Sequence, residues 1–146
     1  RCHSMTSVVA ITNLLYTYGE LMDEGDFAGA AALLGAATVR ITGGQEIPGG
    51  DMLGIWQAMV ILHDGGKPYT KHVITNPILD IDEAAGQATC RSCYTVLQGM
   101  PDFPLQIIAA GRYYDRFERA GGAWRFAFRD YTMFDMQGDL SRHLRM

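Results

Sequence analysis

From Tyr69 to Phe134 the chain reads as almost unbroken β-strand, and this restricts its fold more than any other feature. The segments Tyr69–Asp82, Gln87–Leu97, Leu105–Arg119 and Ala123–Phe134 are separated by the hairpin-like gaps Ala84–Gly86, Gly99–Pro104 and Ala120–Gly122. Three helical stretches precede them. Helices followed by a run of strands is an α+β arrangement. Long strands do not stay flat, so the expected architecture is a set of N-terminal helices packed on a strongly curved, mixed or antiparallel sheet that encloses a pocket. At 146 residues the chain is one domain.

The first helix is expected over Thr6–Met22, with Val8, Ile11, Leu15, Tyr18 and Met22 at helical spacing. Thr6 or Ser7 caps its start and Gly25 its end. Asp26 caps a second helix, Phe27–Leu34. Thr38–Thr42 is a short strand, and Asp51 caps a third helix containing Leu53, Trp56 and Val60. The domain is expected over residues 5–135, with 136–146 a polar, loose C-terminal tail. Arg1 to Ser4 read as an extension ahead of a natural start at Met5, whether from expression or from upstream readthrough.

Composition narrows the function classes. Net charge is −4, and the basic residues are interleaved with acids, as in RYYDRFERAGG, so no nucleic-acid footprint stands out. There is no apolar run of membrane-spanning length. Cys90 and Cys93 form a CxxC on a strand, where the two thiols face opposite ways. With no second CxxC and no histidine cluster nearby, small buried thiols are the expected reading and a metal site is not expected. A reducing, cytoplasmic setting fits. The paired glycines Gly43-Gly44, Gly49-Gly50 and Gly65-Gly66 lack the context of phosphate-binding loops. No cofactor is expected. Charged residues are only 19% of the chain, which suggests a surface partly covered by a second copy, as a homodimer or homotrimer.

Within YTKHVITNPILDID, residues 69 to 82, alternation places His72, Ile74 and Asn76 on one face unless Pro77 marks a bulge. A polar pair beside an isoleucine suits the floor of a half-polar cavity. Tyr18 faces either that cavity or the packing under the sheet. Asn76 either holds a substrate oxygen or bridges a bulge. Tyr94 is a candidate donor to a leaving group or an enolate oxygen. Phe27, Met52, Trp56, Met59 and Tyr113 are candidates for an apolar wall suited to a hydrophobic ring. Trp124 reads as a structural plug. Arg112, Arg116, Arg125 and Arg129 are expected on the outer face, paired with Asp115, Glu118 or Asp130.

The segments YGELMDEGDF at 18 to 27, TKHVITNPILDID at 70 to 82, ATCRSCYTVL at 88 to 97 and GRYYDRFERAGGAWRFAFRDY at 111 to 131 resemble the SnoaL-like branch of the NTF2-like superfamily. The resemblance implies a cone-shaped α+β fold. It is nearest to the scytalone dehydratase and dehydrochlorinase type, which carries an Asp at the end of the first helix and a His on the first long strand. Those positions match Asp23 and His72. The resemblance implies that Asp23 orients the imidazole and His72 is a general base. The dehydratase also has a histidine on the following strand, where this chain offers Arg91, Ser92, Cys93 and Tyr94.

A single Asp–His pair suits proton abstraction without a cofactor, worth about 10²–10⁴-fold in rate. The expected function is a lyase or isomerase acting on a small hydrophobic cyclic compound. The alternatives are an assembly module like the small subunit of ring-hydroxylating dioxygenases, and a small-ligand binding protein.

Overall fold

The computed structural model describes residues 6–146; the readings of Met5, Arg1 to Ser4 and Cys2 fall outside the described residues. Helix α1 (Ser7–Glu24) begins at Thr6, whose hydroxyl accepts the Val9 N–H, and ends at Gly25 with φ 77°. That left-handed conformation is cheap for glycine. Ile11, Leu15, Tyr18, Gly19 and Met22 form the buried face, while Val8 turns to solvent. Helix α2 (Phe27–Leu33) is capped by Asp26, which accepts the Gly29 N–H at 2.8 Å. Helix α3 (Met52–Met59) grows out of a 3-10 turn at Gly49–Asp51. Asp51 is itself helical and makes no side-chain cap, contrary to expectation.

Among the described residues, seven strands form one mixed sheet. They are β1 (Thr38–Arg40), β2 (Glu46–Pro48), β3 (Thr70–Asp82), β4 (Gln87–Met100), β5 (Phe103–Ala120), β6 (Ala123–Asp130) and β7 (Phe134–Gln137). The order is β2-β1-β6-β5-β4-β3, with β7 also on β5, and only the β1–β6 pairing is parallel. The expected last strand, 123 to 134, is interrupted after Asp130: β6 and β7 pair with different stretches of β5.

Register shifts interrupt β3 between Thr75 and Ile78, and the β5–β6 pairing between Arg116 and Phe117, opposite Ala127. Each extra residue bends the strand and exchanges its faces. In β3, His72 and Ile74 pair with Val96 and Tyr94, whereas Leu79 pairs with Cys90 beyond the shift. Even-numbered residues thus face inward before the bulge and odd-numbered ones after it. In β6, Phe126 faces inward with Phe117, but past Ala127 it is Arg129, opposite Asp115, that does so. Phe128 turns outward beneath the guanidinium of Arg116.

Arg129 therefore does not belong to the outer face with Arg112, Arg116 and Arg125. It is fully buried and forks onto Asp115 at 2.7 and 3.0 Å. Burial raises the Asp115 carboxyl, and Arg129 opposes that shift. A buried ion pair is held by its partner and by low-dielectric attraction, so losing one member strands the other.

Helix α1 lies on β3 with no side chain intervening at Gly19: a Cβ there would stand 3.3 Å from the Cβ of His72. The C-terminal segment is docked, not loose. Leu140 is buried, Ile61 donates to the carbonyl of His143 at 2.8 Å, and the Gln98 amide donates to the carbonyl of Arg142 at 3.0 Å. Its polar side chains hid this, because the docking is made largely by backbone groups. Cys90 is buried and Cys93 half-buried; burial pushes the Cys90 thiol up to about 11.

Asp115→Ala should lower stability by about 3–5 kcal/mol, read as a fall in urea midpoint at unchanged m. Cys90, studied in a Cys2→Ser/Cys93→Ser background, should stay unreactive toward Ellman's reagent at pH 8 in the folded protein. It should react at once after denaturation, since only the thiolate attacks.

Candidate functional site

Asp23 lies in the last turn of α1. The partial negative charge at a helix C-terminus disfavours a carboxylate there, so helix stability does not account for it. Three hydrogen bonds from β3 do. Asp23 Oδ1 pairs with His72 Nδ1 at 2.6 Å and accepts the Thr70 hydroxyl at 2.9 Å, while Oδ2 accepts the His72 backbone N–H at 2.8 Å. Both side chains are largely shielded, 8% exposed for His72 and 10% for Asp23. With the carboxylate as acceptor, neutral His72 carries its proton on Nδ1 and leaves Nε2 as a base. The two residues matched through the sequence resemblance are thus in direct contact, although 49 positions apart.

Aromatic rings surround the pair. Tyr18 meets the imidazole edge-on at 6.3 Å and in turn touches Trp56, Tyr113 and Tyr131. The Tyr131 hydroxyl donates to that of Tyr18 at 3.0 Å. Phe27 packs on Trp56, and Tyr94 stacks on Tyr113 at 4.6 Å. Burial raises the Tyr18 phenol and pushes that of Tyr94 up to about 12, so both remain protonated donors near neutrality. The Arg129 guanidinium lies 4.4 Å from the Tyr18 ring centre and 3.9 Å from that of Tyr113. Its Nη1, like Ser92 Oγ, is buried without a partner.

An apolar cavity of about 490 Å³ opens between α3 and the C-terminal segment, lined by Met52, Ile55, Trp56, Met59, Tyr131 and Leu144, among others. Trp56 and Tyr131 belong both to this cavity and to the aromatic layer around Tyr18, the ring that meets His72. Tyr18, Phe27, Met52, Trp56, Tyr94 and Tyr113 are all buried, and Met59 sits at the rim, 40% exposed.

Asn76 is not brought to this site. It occupies the bulge with φ 54° and is exposed. With Ile78, Arg91, Cys93, Arg112 and Tyr114 it lines a larger depression, about 580 Å³, on the convex face. The expectation of a shared face with His72 held only without a bulge, and Pro77 sits in one. Four residues at or near the site were missed by sequence reasoning: Thr70, Arg129, Tyr131 and His143. Thr70 was legible, since it stands two positions before His72 and so on the same face. Arg129 was hidden by the Ala127 bulge, Tyr131 by lying past the strand end, and His143 by the polar tail.

The imidazole ¹⁵N shifts of neutral His72 should show the Nδ1–H form in the wild type. In Asp23→Ala they should show a mixture weighted toward Nε2–H, the result of losing the acceptor that selects the tautomer.

Among the solved structures most similar to the chain is the β subunit of a candidate aromatic-ring-hydroxylating dioxygenase from Novosphingobium aromaticivorans, at TM-score 0.68 and 19% identity, covering 94% of this chain and 95% of that one. An NTF2-like protein with a cystatin-like fold from the same organism matches at TM-score 0.64 and 17% identity, over 88% and 82% of the two chains. A candidate scytalone dehydratase, also from that organism, matches at TM-score 0.62 and 19% identity, over 89% and 87%. At such identities the likeness establishes the fold, an NTF2-like, cystatin-like cone. No curated protein matches the chain in sequence. The SnoaL-like domain family matches residues 3–130. With that match over most of its length and helices and curved sheet in the corresponding arrangement, the chain belongs to the SnoaL-like family.

Proposed function

We propose that the protein is a cofactor-independent lyase or isomerase acting on a small hydrophobic cyclic compound, with His72 as general base and Asp23 as the residue that orients it. The observation that carries this reading is the shielded Asp23–His72 pair, bonded at 2.6 Å; an apolar cavity nearby shares Trp56 and Tyr131 with the rings around Tyr18. A carboxylate held at Nδ1 supports the positive charge that appears when Nε2 takes a proton from carbon. The C–H electron pair then forms a new double bond, either expelling a leaving group, as in dehydration or dehydrohalogenation, or taking back a proton at another carbon. The unpartnered Arg129 Nη1 and the protonated Tyr18 and Tyr94 hydroxyls are donors toward negative charge developing on the substrate. Tyr18, Phe27, Met52, Trp56, Met59 and Tyr113 supply the apolar wall. Likeness to a candidate scytalone dehydratase agrees with this class of reaction.

A second reading is assembly with a larger partner. It is supported by likeness to a dioxygenase β subunit and by the exposed apolar side chains Leu105, Ile107, Phe134 and Met136 on β5 and β7. In the enzyme reading the same side chains pair with a second copy, giving a homodimer or homotrimer.

Native mass spectrometry of wild type and His72→Ala, purified from cells, tests these readings. A small cyclic compound retained only by the folded variant is the expected result, since a site that binds but does not turn over accumulates its substrate. The same compound in both samples would shift the assignment to ligand binding, and a copurifying larger subunit would shift it to assembly. The oligomer mass comes from the same spectra.

A further inference from the structure

The strand after β3 supplies no histidine, but the C-terminal segment does. Gln98 lies opposite Thr70 across the β3–β4 pairing, and its amide Nε2 donates to the carbonyls of Pro68 at 3.1 Å and Arg142 at 3.0 Å. His63 Nε2 meets the same Arg142 carbonyl at 2.8 Å. The next residue, His143, donates its N–H to the Leu140 carbonyl at 2.9 Å and accepts from Ile61 at 2.8 Å. Arg145 closes the docking with bonds to the carbonyls of Met59 and Val60. The backbone of His143 is therefore held on both sides, at the end of the sheet where Thr70 and His72 bind Asp23.

Its ring is not satisfied. His143 Nδ1 is buried without a partner, and so is Gln98 Oε1. Buried polar atoms without partners are uncommon and costly in native proteins. A ligand that supplies the missing bonds is a physical reason for them. The charged groups acting on His143 are His72 from β3, Asp23 from α1 and His63 from the loop after α3.

We propose that His143 is the second imidazole of the candidate site, hydrogen-bonding an oxygen substituent of the substrate beside the carbon that yields its proton to His72. This inference rests on the Asp23–His72 reading above. The substrate class narrows to a hydroxylated or keto-bearing ring. Burial, with the nearby His72 charge, pushes the His143 ring down to about 4. At neutral pH it is an uncharged group that donates from one nitrogen and accepts at the other. Charge left on the oxygen after the proton reaches His72 Nε2 is met by the His143 N–H, which keeps its proton. The folded ring is depressed below its ordinary 6.5, so docking of the segment is fully stable above that value and weakens as pH falls toward about 4.

The test follows the ring ¹⁵N signals of the full chain, alone and with 2-naphthol, a fused aromatic ring bearing one hydroxyl. Without ligand, the His143 ring should titrate near about 4 in the wild type and at higher pH in His72→Ala, where the neighbouring positive charge is gone. 2-Naphthol should shift both the His72 and the His143 rings. His143→Ala should weaken its binding by about tenfold and His143→Gln, which keeps a donor, by less. Retained exchange protection of the Ile61 amide would show that the segment is still docked in both variants. A His143 ring that titrates at its ordinary value, or ignores His72→Ala, overturns the proposal. So does 2-naphthol moving His72 alone, an outcome that leaves the Asp23–His72 reading standing. If neither ring responds to 2-naphthol, the His143 proposal falls, and the Asp23–His72 reading is decided by the His72→Ala mass-spectrometry comparison.

Discussion

The carboxylate of Asp23 joins two parts of the molecule that share no local sequence. It stands at the end of α1, where helix electrostatics oppose it, and is held there by the Thr70 hydroxyl, the His72 amide and the His72 ring. The approach of α1 to β3 that allows these bonds depends on Gly19, whose missing side chain lets the helix rest on the strand at His72. Helix end, strand start and imidazole tautomer are thus set by one cluster of hydrogen bonds. The same bonds keep the pair out of bulk water, where an Asp–His contact is weak.

The interior beyond this pair is polar at its centre and aromatic around it. Arg129 and Asp115 form a fully buried ion pair, enclosed by Tyr18, Tyr113, Phe126 and Tyr131. An apolar pair of similar volume is often as good for stability, so stability by itself is weak ground for a charge at this position. The guanidinium keeps Nη1 unpartnered; among the rings around it, Tyr131 lines the cavity and Tyr18 meets His72.

Much of this was legible beforehand. The α+β order, the extent of α1 and α2, the caps at Thr6, Asp26 and Gly25, and the long β3 follow from periodicity and capping chemistry. Asp23 and His72 came from the family resemblance and not from spacing, since nothing local says that two residues so far apart will touch. For Asn76 the structure realises the alternative of a residue in a bulge, whereas Arg129 was expected on the outer face and lies inside. In both places a bulge breaks the alternation, at Asn76–Pro77 and at Ala127. Proline gave warning of the first, and the second had no signal of its own.

By itself, then, the sequence determined the succession of helices and strands, the apolar faces that make the core, and the presence of a carboxylate and an imidazole at the matched positions. Tertiary structure alone decided which polar groups meet. Strand periodicity is exact only while the register is unbroken, and a single inserted residue exchanges the two faces; this is how Arg129 came inside and Asn76 went outside. Tertiary structure also decided the place of the C-terminal segment, whose own backbone groups bond Ile61, Met59 and the Gln98 side-chain amide, contacts that leave no periodic pattern in the segment's sequence. For that reason His143, the last histidine of the chain, reaches the end of the sheet that holds His72 without any pattern in the sequence to announce it.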